Sequence, residues 1–430
     1  MRILVLGAYG LIGLPLSRRL LEDGHSIVGL GRSRSRGKAL LPEADWIGAD
    51  LSVLKEASDW LPHLEAVDVV VNASGVLQGG LNRRVSDTQH SAIVALIQAC
   101  ETVGVERFVQ ISATGASEGA TTEFFRSKGR ADKAIQESGL SWTILRPGLV
   151  LSPQSYGGTA LIRMLAAFPW VQPIFMADAQ VQTVHVADVA QAVALSVAGE
   201  LDRHDIDLVE TKSHDLLDVV LAFRQWLGFA PPRHAWHVPS WLGWMTVQLA
   251  DLAGWLGWPS ALRSTSLTVL ADGVRGNAAD GTALHGASLR SLQASLQSLP
   301  STRQERIAAR LSLVYPVMVA TLSLFWIVSG VIGVIRHEVA LDVLSEVVPE
   351  GLSRLAVFGG SLADIIVGTM IAFRPTVRMG CAVSFVLGGA YLVASAWLTP
   401  TLWADPLGPM VKVFPALTLA LAVAAMSEAR

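Results

Sequence analysis

M-R-I-L-V-L-G-A-Y-G-L-I-G, residues 1–13, decides how the first half of the chain is read. Ile3 to Leu6 form an uninterrupted apolar run, the mark of a strand buried on both faces of a parallel sheet. Gly7, Gly10 and Gly13 then turn the chain from that strand into a helix. Gly7 permits the tight turn, Gly10 lets the backbone approach a pyrophosphate, and Gly13 lets helix and strand pack closely. The helix N-terminus offers unpaired N–H groups to the anion. Tyr9, Leu11 and Ile12 belong to the same loop and are expected to border the nucleotide. The three glycines are also compatible with an ordinary strand, turn and helix, so the rest of the chain has to support the site. They interrupt the apolar start, and no A-x-A-like cleavage site ends it. It therefore reads as the first strand of a mature cytoplasmic domain rather than as a leader.

Composition limits what this loop can serve. The chain has 430 residues, 51% hydrophobic and 16% charged, which is too apolar for an ordinary soluble enzyme. Part of it is expected to lie in lipid. A net charge of −3 leaves no basic footprint and argues against a nucleic-acid partner. Cys100 and Cys381 are far apart and read as small buried apolar residues, and no metal-ligand spacing is present.

After Gly13 a helix runs through Leu16, Leu20 and Leu21 and stops at Gly24, and a second strand covers Ser26 to Gly31. At the end of that strand a dinucleotide fold places the group that meets the adenosine ribose. Here Arg32 stands where an NAD site carries an acid, with Arg34, Arg36 and Lys38 following; the other reading of these residues is a solvated basic loop. Guanidinium groups favour a 2′-phosphate, so NADP(H) is expected over NAD(H). Asp50 and Leu51 follow a short third strand and are placed to flank the adenine. V-D-V-V-V-N-A-S-G, residues 67–75, is a fourth strand ending in Ala73, Ser74 and Gly75, small residues where the chain passes close to a cofactor. R-F-V-Q-I-S, residues 107–112, is a fifth. Strands alternating with helices at this spacing imply an α/β fold, a Rossmann-type doubly wound parallel sheet.

The chain at this point resembles the short-chain dehydrogenase/reductase (SDR) superfamily, in particular its extended and atypical members, which include the NAD(P)H-binding accessory subunit of respiratory complex I. The resemblance rests on G-A-Y-G-L-I-G, N-A-S-G at 72–75, I-S-A at 111–113, F-F-R-S-K at 124–128, T-I-L-R-P-G at 143–148 and V-H-V-A-D-V-A at 184–190. In active members a tyrosine four residues before a lysine handles the proton, a serine polarises the carbonyl, and the lysine holds the nicotinamide ribose. By that resemblance Ser112 and Lys128 are the serine and the lysine, and Phe124 occupies the tyrosine's place. A phenyl ring has no ionisable proton, and acid–base catalysis of this kind is worth about 10²–10⁴-fold. Tyr156 is the one nearby substitute to consider. Pro147 and Gly148 are implied to border the nicotinamide, whereas His185 and Asp188 read as local hydrogen-bonding residues.

Residues 1–230 thus read as the cofactor domain, residues 231–310 as a connecting region, and residues 311–430 as a membrane domain. The connecting region carries Trp236, Trp241, Trp244, Trp255 and Trp258 with few charges, which suits a headgroup interface, a pocket lid or plain core. Residues 271–287 read as a loop. Leu311 to Ile335, Leu355 to Phe373, Met379 to Leu398 and Leu407 to Met426 read as spans of an all-α four-span transmembrane bundle. This tail resembles the DoxX-like family. Arg303, Arg306, Arg310, Arg374 and Arg378 fall on one side, which predicts a cytoplasmic membrane protein with both termini and the nucleotide domain inside. Asp364 lies mid-span and Lys412 near the outer end of the fourth span, where they either pair, serve a proton or quinone site, or stand apart with Lys412 at the interface.

Two functions follow from this reading. One is a membrane-tethered NADP(H)-dependent oxidoreductase for a lipophilic carbonyl, isoprenoid or quinone-like substrate arriving from the lipid bilayer. The other is a non-catalytic NADPH-binding sensor or scaffold with a membrane protein as its partner.

Overall fold

A computed structural model describes residues 1–75, 86–258, 262, 264–271, 273–285, 288–345 and 347–427. The chain divides into two compact units. The first comprises Met1–Asp251 with Ser260–Ala309, and the second Leu252–Pro259 with Arg310–Arg430.

In the first unit the opening apolar run is strand β1 (Arg2–Leu6), followed by helix α1 (Gly13–Glu22), β2 (Ser26–Gly31), α2 (Arg34–Leu40), β3 (Asp45–Gly48), the short α3 (Ala57–Trp60) and β4 (Val69–Asn72). Next come α4 (Ala92–Val103), β5 (Arg107–Ile111), α5 (Glu123–Glu137) and β6 (Ser141–Pro147). With His204–Leu208 as its last member, the sheet has seven strands in the order β3-β2-β1-β4-β5-β6-(His204–Leu208), every neighbouring pair parallel. Side chains alternate between two cores. Ile3, Val5, Val69 and Val71 face Leu16, Leu20, Val189 and Val193, whereas Leu4, Leu6, Val70 and Phe108 face Trp60, Leu96 and Ile135. An all-parallel sheet sends the carboxyl ends of its strands to one edge, and the order reverses between β1 and β4. That edge carries the site.

Residues 271–287, expected as a loop, contain the helix Ala278–His285. Long-range pairing supplies what local composition lacks. Asn277 donates its backbone N–H to Asp207 Oδ2 on the last strand (2.8 Å), and its side chain accepts from Ala279 N (3.2 Å), which starts the helix. Arg34–Leu40 is likewise a helix rather than a basic loop, because Ser33 Oγ accepts from Arg36 N at 3.2 Å and caps it.

Among the described residues three helices are long and apolar enough to cross a membrane, Arg303–Ile335, which begins at the end of the first unit, and Glu350–Ala372 and Val377–Leu398 in the second. The fourth apolar helix is shorter than expected, Val413–Met426, because Pro406, Gly408 and Pro409 keep residues 407–412 in turns. The first pair packs backbone to backbone. A Cβ on Gly330 would lie 2.4 Å from Ser361 O and one on Gly368 2.7 Å from Ser323 O, so only small residues fit between them. Asp364 accepts a hydrogen bond from Tyr391 Oη (2.8 Å), while Lys412 is exposed at the start of the last helix. No ion pair joins Asp364 and Lys412 among the described residues.

Candidate dinucleotide-binding site

The phosphate turn is built by contact between its own glycines. Gly7 has φ +72° and donates its N–H to Leu30 O (2.9 Å), so the chain leaves β1 in a backbone conformation that side chains resist. Gly10 N donates to Gly7 O (2.8 Å), and a Cβ on Gly13 would lie only 2.0 Å from the same oxygen. Helix α1 therefore starts directly against the end of β1. Its first turn has no side-chain cap and no acidic residue, which leaves its N–H groups to an anion. Ala73 and Ser74, leaving β4, form the opposite wall: a Cβ on Gly7 would meet Ala73 O and Ser74 Cα at 3.1 Å. Ser74 is held by Asn72 Oδ1, which accepts from its N–H (3.1 Å) and its hydroxyl (2.5 Å). The residues present fit a dinucleotide pyrophosphate, because the cradle closes only around glycine.

Tyr9 extends the turn towards β2. Its ring stacks on Trp46 (centroids 5.7 Å apart), its hydroxyl accepts from Ser33 N (3.2 Å), and the Arg36 guanidinium stands 5.9 Å from its centroid. Trp46 is itself clasped by Gly29 and Gly37, where Cβ atoms would come within 2.7 Å and 2.2 Å of the indole. Arg32, Arg34 and Arg36 are exposed around this stack. Asp50 Oδ1 accepts from Ser52 N and Ser52 Oγ, and Leu51 points into the core with 8% of its surface exposed.

At the carboxyl ends of β5 and β6 the polar groups form one chain that runs from the buried Ser112 and Asp132 out to the exposed Asp205. Lys128 on α5 donates from Nζ to Ile111 O (2.8 Å) and sits 5.9 Å from the ring centroid of Phe124, one turn back on the same helix. Burial pushes the Lys128 ammonium down to about 8, against the pull of the neighbouring Asp132 carboxylate. Ser112 donates its hydroxyl proton to Asp132 Oδ2 (2.5 Å). Asp132 is only 2% exposed and pairs with Arg146 at 3.0 Å; Arg146 in turn binds Asp205 at 2.6 and 2.9 Å. Burial raises the Asp132 carboxyl, and Arg146 and the Ser112 hydrogen bond oppose that rise. The one proton of Ser112 is thus directed into the protein rather than outward.

Pro147 ends β6, and Gly148 donates to Leu208 O (3.0 Å), wedged where a Cβ would lie 2.5 Å from Gln182 O. His185 caps the helix Val186–Ala198 by accepting from Ala187 N at Nδ1 (3.1 Å). Its ring proton therefore lies on Nε2, facing Ser298 Oγ at 3.2 Å, while Asp188 pairs with Arg290 at 3.3 Å. Tyr156 is 54% exposed in the turn before the helix Gly158–Ala166. Sequence reading passed over Asp132, Arg146 and Asp205. The available signal was Asp132, one helical turn beyond Lys128 and thus on the same face.

An all-parallel sheet with a glycine cradle at its switch point defines a Rossmann-type dinucleotide-binding domain. Comparison with known proteins agrees: residues 7–198 match the NAD(P)H-binding family model and residues 323–421 the DoxX-like family. The chain is 27% identical over 176 residues to a UPF0659 protein of Saccharomyces cerevisiae, covering 38% of this chain and 75% of that protein. It is 29% identical over 148 residues to the photosystem II assembly factor Ycf39 of Synechocystis, covering 34% of this chain and 44% of that protein. With the NAD(P)H azoreductase of Xenophilus azovorans it shares 28% over 149 residues, 35% of this chain and 48% of the enzyme. The chain thus spans less than half the length of these last two relatives. Among solved structures, MoeE5 in complex with UDP-glucuronic acid and NAD superposes with a TM-score of 0.52 at 18% identity, covering 73% of this chain and 100% of that one. A nucleoside-diphosphate-sugar epimerase of Staphylococcus aureus gives 0.52 at 15% identity, covering 69% and 100%. At such identities the likeness is one of fold. The chain carries an NAD(P)H-binding, SDR-like domain at its N-terminus and a DoxX-like membrane domain at its C-terminus.

Replacing Gly13 by alanine tests the cradle. The added Cβ, 2.0 Å from Gly7 O, has to push α1 off β1, and NADPH binding measured by calorimetry is expected to disappear while the chain stays folded by circular dichroism. Unchanged affinity would show that the turn does not hold the pyrophosphate.

Proposed function

We propose that this protein is a membrane-tethered NADP(H)-dependent oxidoreductase that passes hydride to a lipophilic acceptor of quinone type. The observation that carries this reading is the pairing of a complete phosphate cradle with Phe124 in place of the acid. The cofactor supplies hydride when bound. A ketone that takes up hydride becomes an alkoxide, a strong base that needs a proton within the site. A quinone-type acceptor becomes a phenolate, whose conjugate acid lies near the phenol value of about 10, so water can deliver the one proton still needed. With the cofactor bound, transfer of hydride with its electron pair would give the acceptor two electrons and one hydrogen, leaving the oxidised cofactor, and one proton from water would complete the hydroquinone. Lipophilic carbonyls and isoprenoids reach the same face from the bilayer, but a simple ketone is disfavoured without the acid.

In this reading Gly7, Tyr9, Gly10, Leu11, Ile12 and Gly13 hold the pyrophosphate, and Arg32 meets the 2′-phosphate. Asp50 and Leu51 flank the adenine, with the backbone of Leu51 serving where its side chain is buried. Ala73, Ser74 and Gly75 line the path, Lys128 holds the nicotinamide ribose, and Pro147 and Gly148 border its ring. Ser112 positions Asp132 and offers a substrate oxygen only its lone pairs. The cofactor part covers residues 1–230, the connection 231–310 and the membrane part 311–430. The arginines at 303, 306, 310, 374 and 378 support a cytoplasmic-membrane protein with both termini and the nucleotide domain inside.

A second reading, a non-catalytic NADPH sensor or assembly scaffold, is favoured by the same Phe124 and by the inward proton of Ser112. The relative named as an assembly factor is consistent with it.

Four measurements test these statements. Arg32→Ala is expected to weaken NADPH binding about tenfold or more and to leave NADH nearly unchanged, as for loss of a charge-assisted hydrogen bond; equal affinity for the two cofactors in the unaltered chain removes the NADP assignment. Phe124→Tyr is expected to raise turnover of a lipophilic ketone by roughly 10²-fold or more and to change quinone turnover little. NADPH that binds but is oxidised with no quinone or other acceptor selects the scaffold. Ala404→Cys is expected to react with an impermeant thiol reagent only from outside the cell, and labelling from the cytoplasm reverses the orientation.

A further inference from the structure

The helix Ser240–Trp255 is built inside out for a helix in water. Its buried positions are the small residues Gly243 and Ala250, and a Cβ on Gly243 would lie 2.6 Å from the Phe175 ring. At about 100° per residue these two share one face, with Gly254 beside them. The opposite face carries Trp241, Trp244, Met245, Leu249, Leu252 and Trp255, with Gln248 its single polar member. Trp241 is 65% exposed, Trp244 64% and Leu249 64%. Asp251 is the one charged residue of the helix and lies to the side of that face. An exposed stripe of this size and aromatic content calls for a cover.

The segment after this helix indicates which one. Leu252–Pro259 belongs to the unit that holds the long apolar helices. Trp258 donates from its indole N–H to Ala372 O (2.6 Å), Arg374 N donates to Leu256 O (3.1 Å), and Trp255 lies against Phe373 (centroids 6.3 Å). Ala372 is the last residue of the helix Glu350–Ala372, and Arg374 and Arg378 follow it. A span that ends in arginine ends at the headgroups, so the helix Ser240–Trp255 runs into the chain at that level.

We propose that Ser240–Trp255 is an interfacial helix whose tryptophan face seats it in the headgroup and upper acyl region of the bilayer. Indole rings suit that depth because an apolar ring and a polar N–H are both satisfied there. The near absence of charge on the helix makes the seat apolar, independent of anionic lipid. The proposal rests on the membrane reading of the C-terminal unit.

Spin labels on the full chain in phosphatidylcholine nanodiscs test it, with the buried native thiols removed by Cys100→Ala and Cys381→Ala. Labels introduced by Trp241→Cys, Met245→Cys and Leu252→Cys are expected to collide with oxygen several-fold more than with a water-soluble nickel chelate, and one introduced by Asp251→Cys the reverse. Nickel access at the outward positions equal to that at 251 overturns the proposal, as does spin–spin broadening, which would show a second copy on this face. A label introduced by Val328→Cys on the first long helix is the reference. If it also meets nickel freely, the membrane reading itself has failed, a result distinct from failure at the interfacial helix alone. A further readout needs no cysteine. Lipids brominated near the headgroup are expected to quench a smaller share of tryptophan fluorescence in a Trp241→Phe, Trp244→Phe chain than in the unaltered one; equal shares overturn the seat.

Discussion

Gly7 O and Gly13 Cα meet without room for a single carbon between them. The rest of the nucleotide domain depends on that approach. With a Cβ at Gly13 only 2.0 Å from the Gly7 oxygen, α1 would have to tilt away from β1 and from the helix Val186–Ala198, against which Leu16 and Leu20 pack. The same contact aims the N-terminus of α1, free of caps and acids, at the gap between β1 and β4 where the strand order reverses. An anion there gains from backbone N–H groups and the helix dipole together. The cradle and the core are therefore one feature, and whatever disturbs this packing reaches the phosphate site as well.

Beside Lys128 and Phe124, charge is arranged for order rather than for proton delivery. Asp132 and Arg146 make a largely buried pair to which Ser112 contributes its proton, and Arg146 extends it to the solvent-exposed Asp205. Removing one member of such a buried pair costs about 3–5 kcal/mol, because the remaining charge is stranded. The network fixes α5 against β5 and β6 and so fixes where Lys128 stands. In a site with a tyrosine this framework would aim an acid at a substrate. With Phe124 on the same helix face as Lys128 it places an apolar ring there instead.

The membrane unit uses a different principle. Its helices gain nothing by hiding apolar surface from one another in lipid, and they approach through small residues, Gly330, Ser361 and Gly368, with Ser323 donating to Gly368 O at 2.8 Å. The bundle's buried carboxyl, Asp364, is satisfied by Tyr391 rather than by the lysine that composition offered. Lys412 lies at a helix start set by Pro406 and Pro409, outside the apolar stretch.

Local pattern was enough for the strands of the parallel sheet, because each buried strand is a continuous apolar run and each glycine of the turn follows from backbone geometry. It was also enough for the long spans, where length and lack of charge decide. That Phe124 and Lys128 share a helix face was legible for the same reason, since a helical i, i+4 relation needs no tertiary information. What only the tertiary structure decided depends on partners distant in sequence. Asp132 joins Ser112 through its hydrogen bond and Arg146 through its ion pair, Asn277 starts a helix because Asp207 holds its backbone, and Trp46 backs Tyr9 because Gly29 and Gly37 come from separate elements to clasp it. The outward face of Ser240–Trp255 belongs to this second group. Its tryptophans were visible in the sequence, but which side of the helix meets protein was settled by Gly243 against Phe175. Apolar periodicity marks a face without saying whether core or lipid covers it.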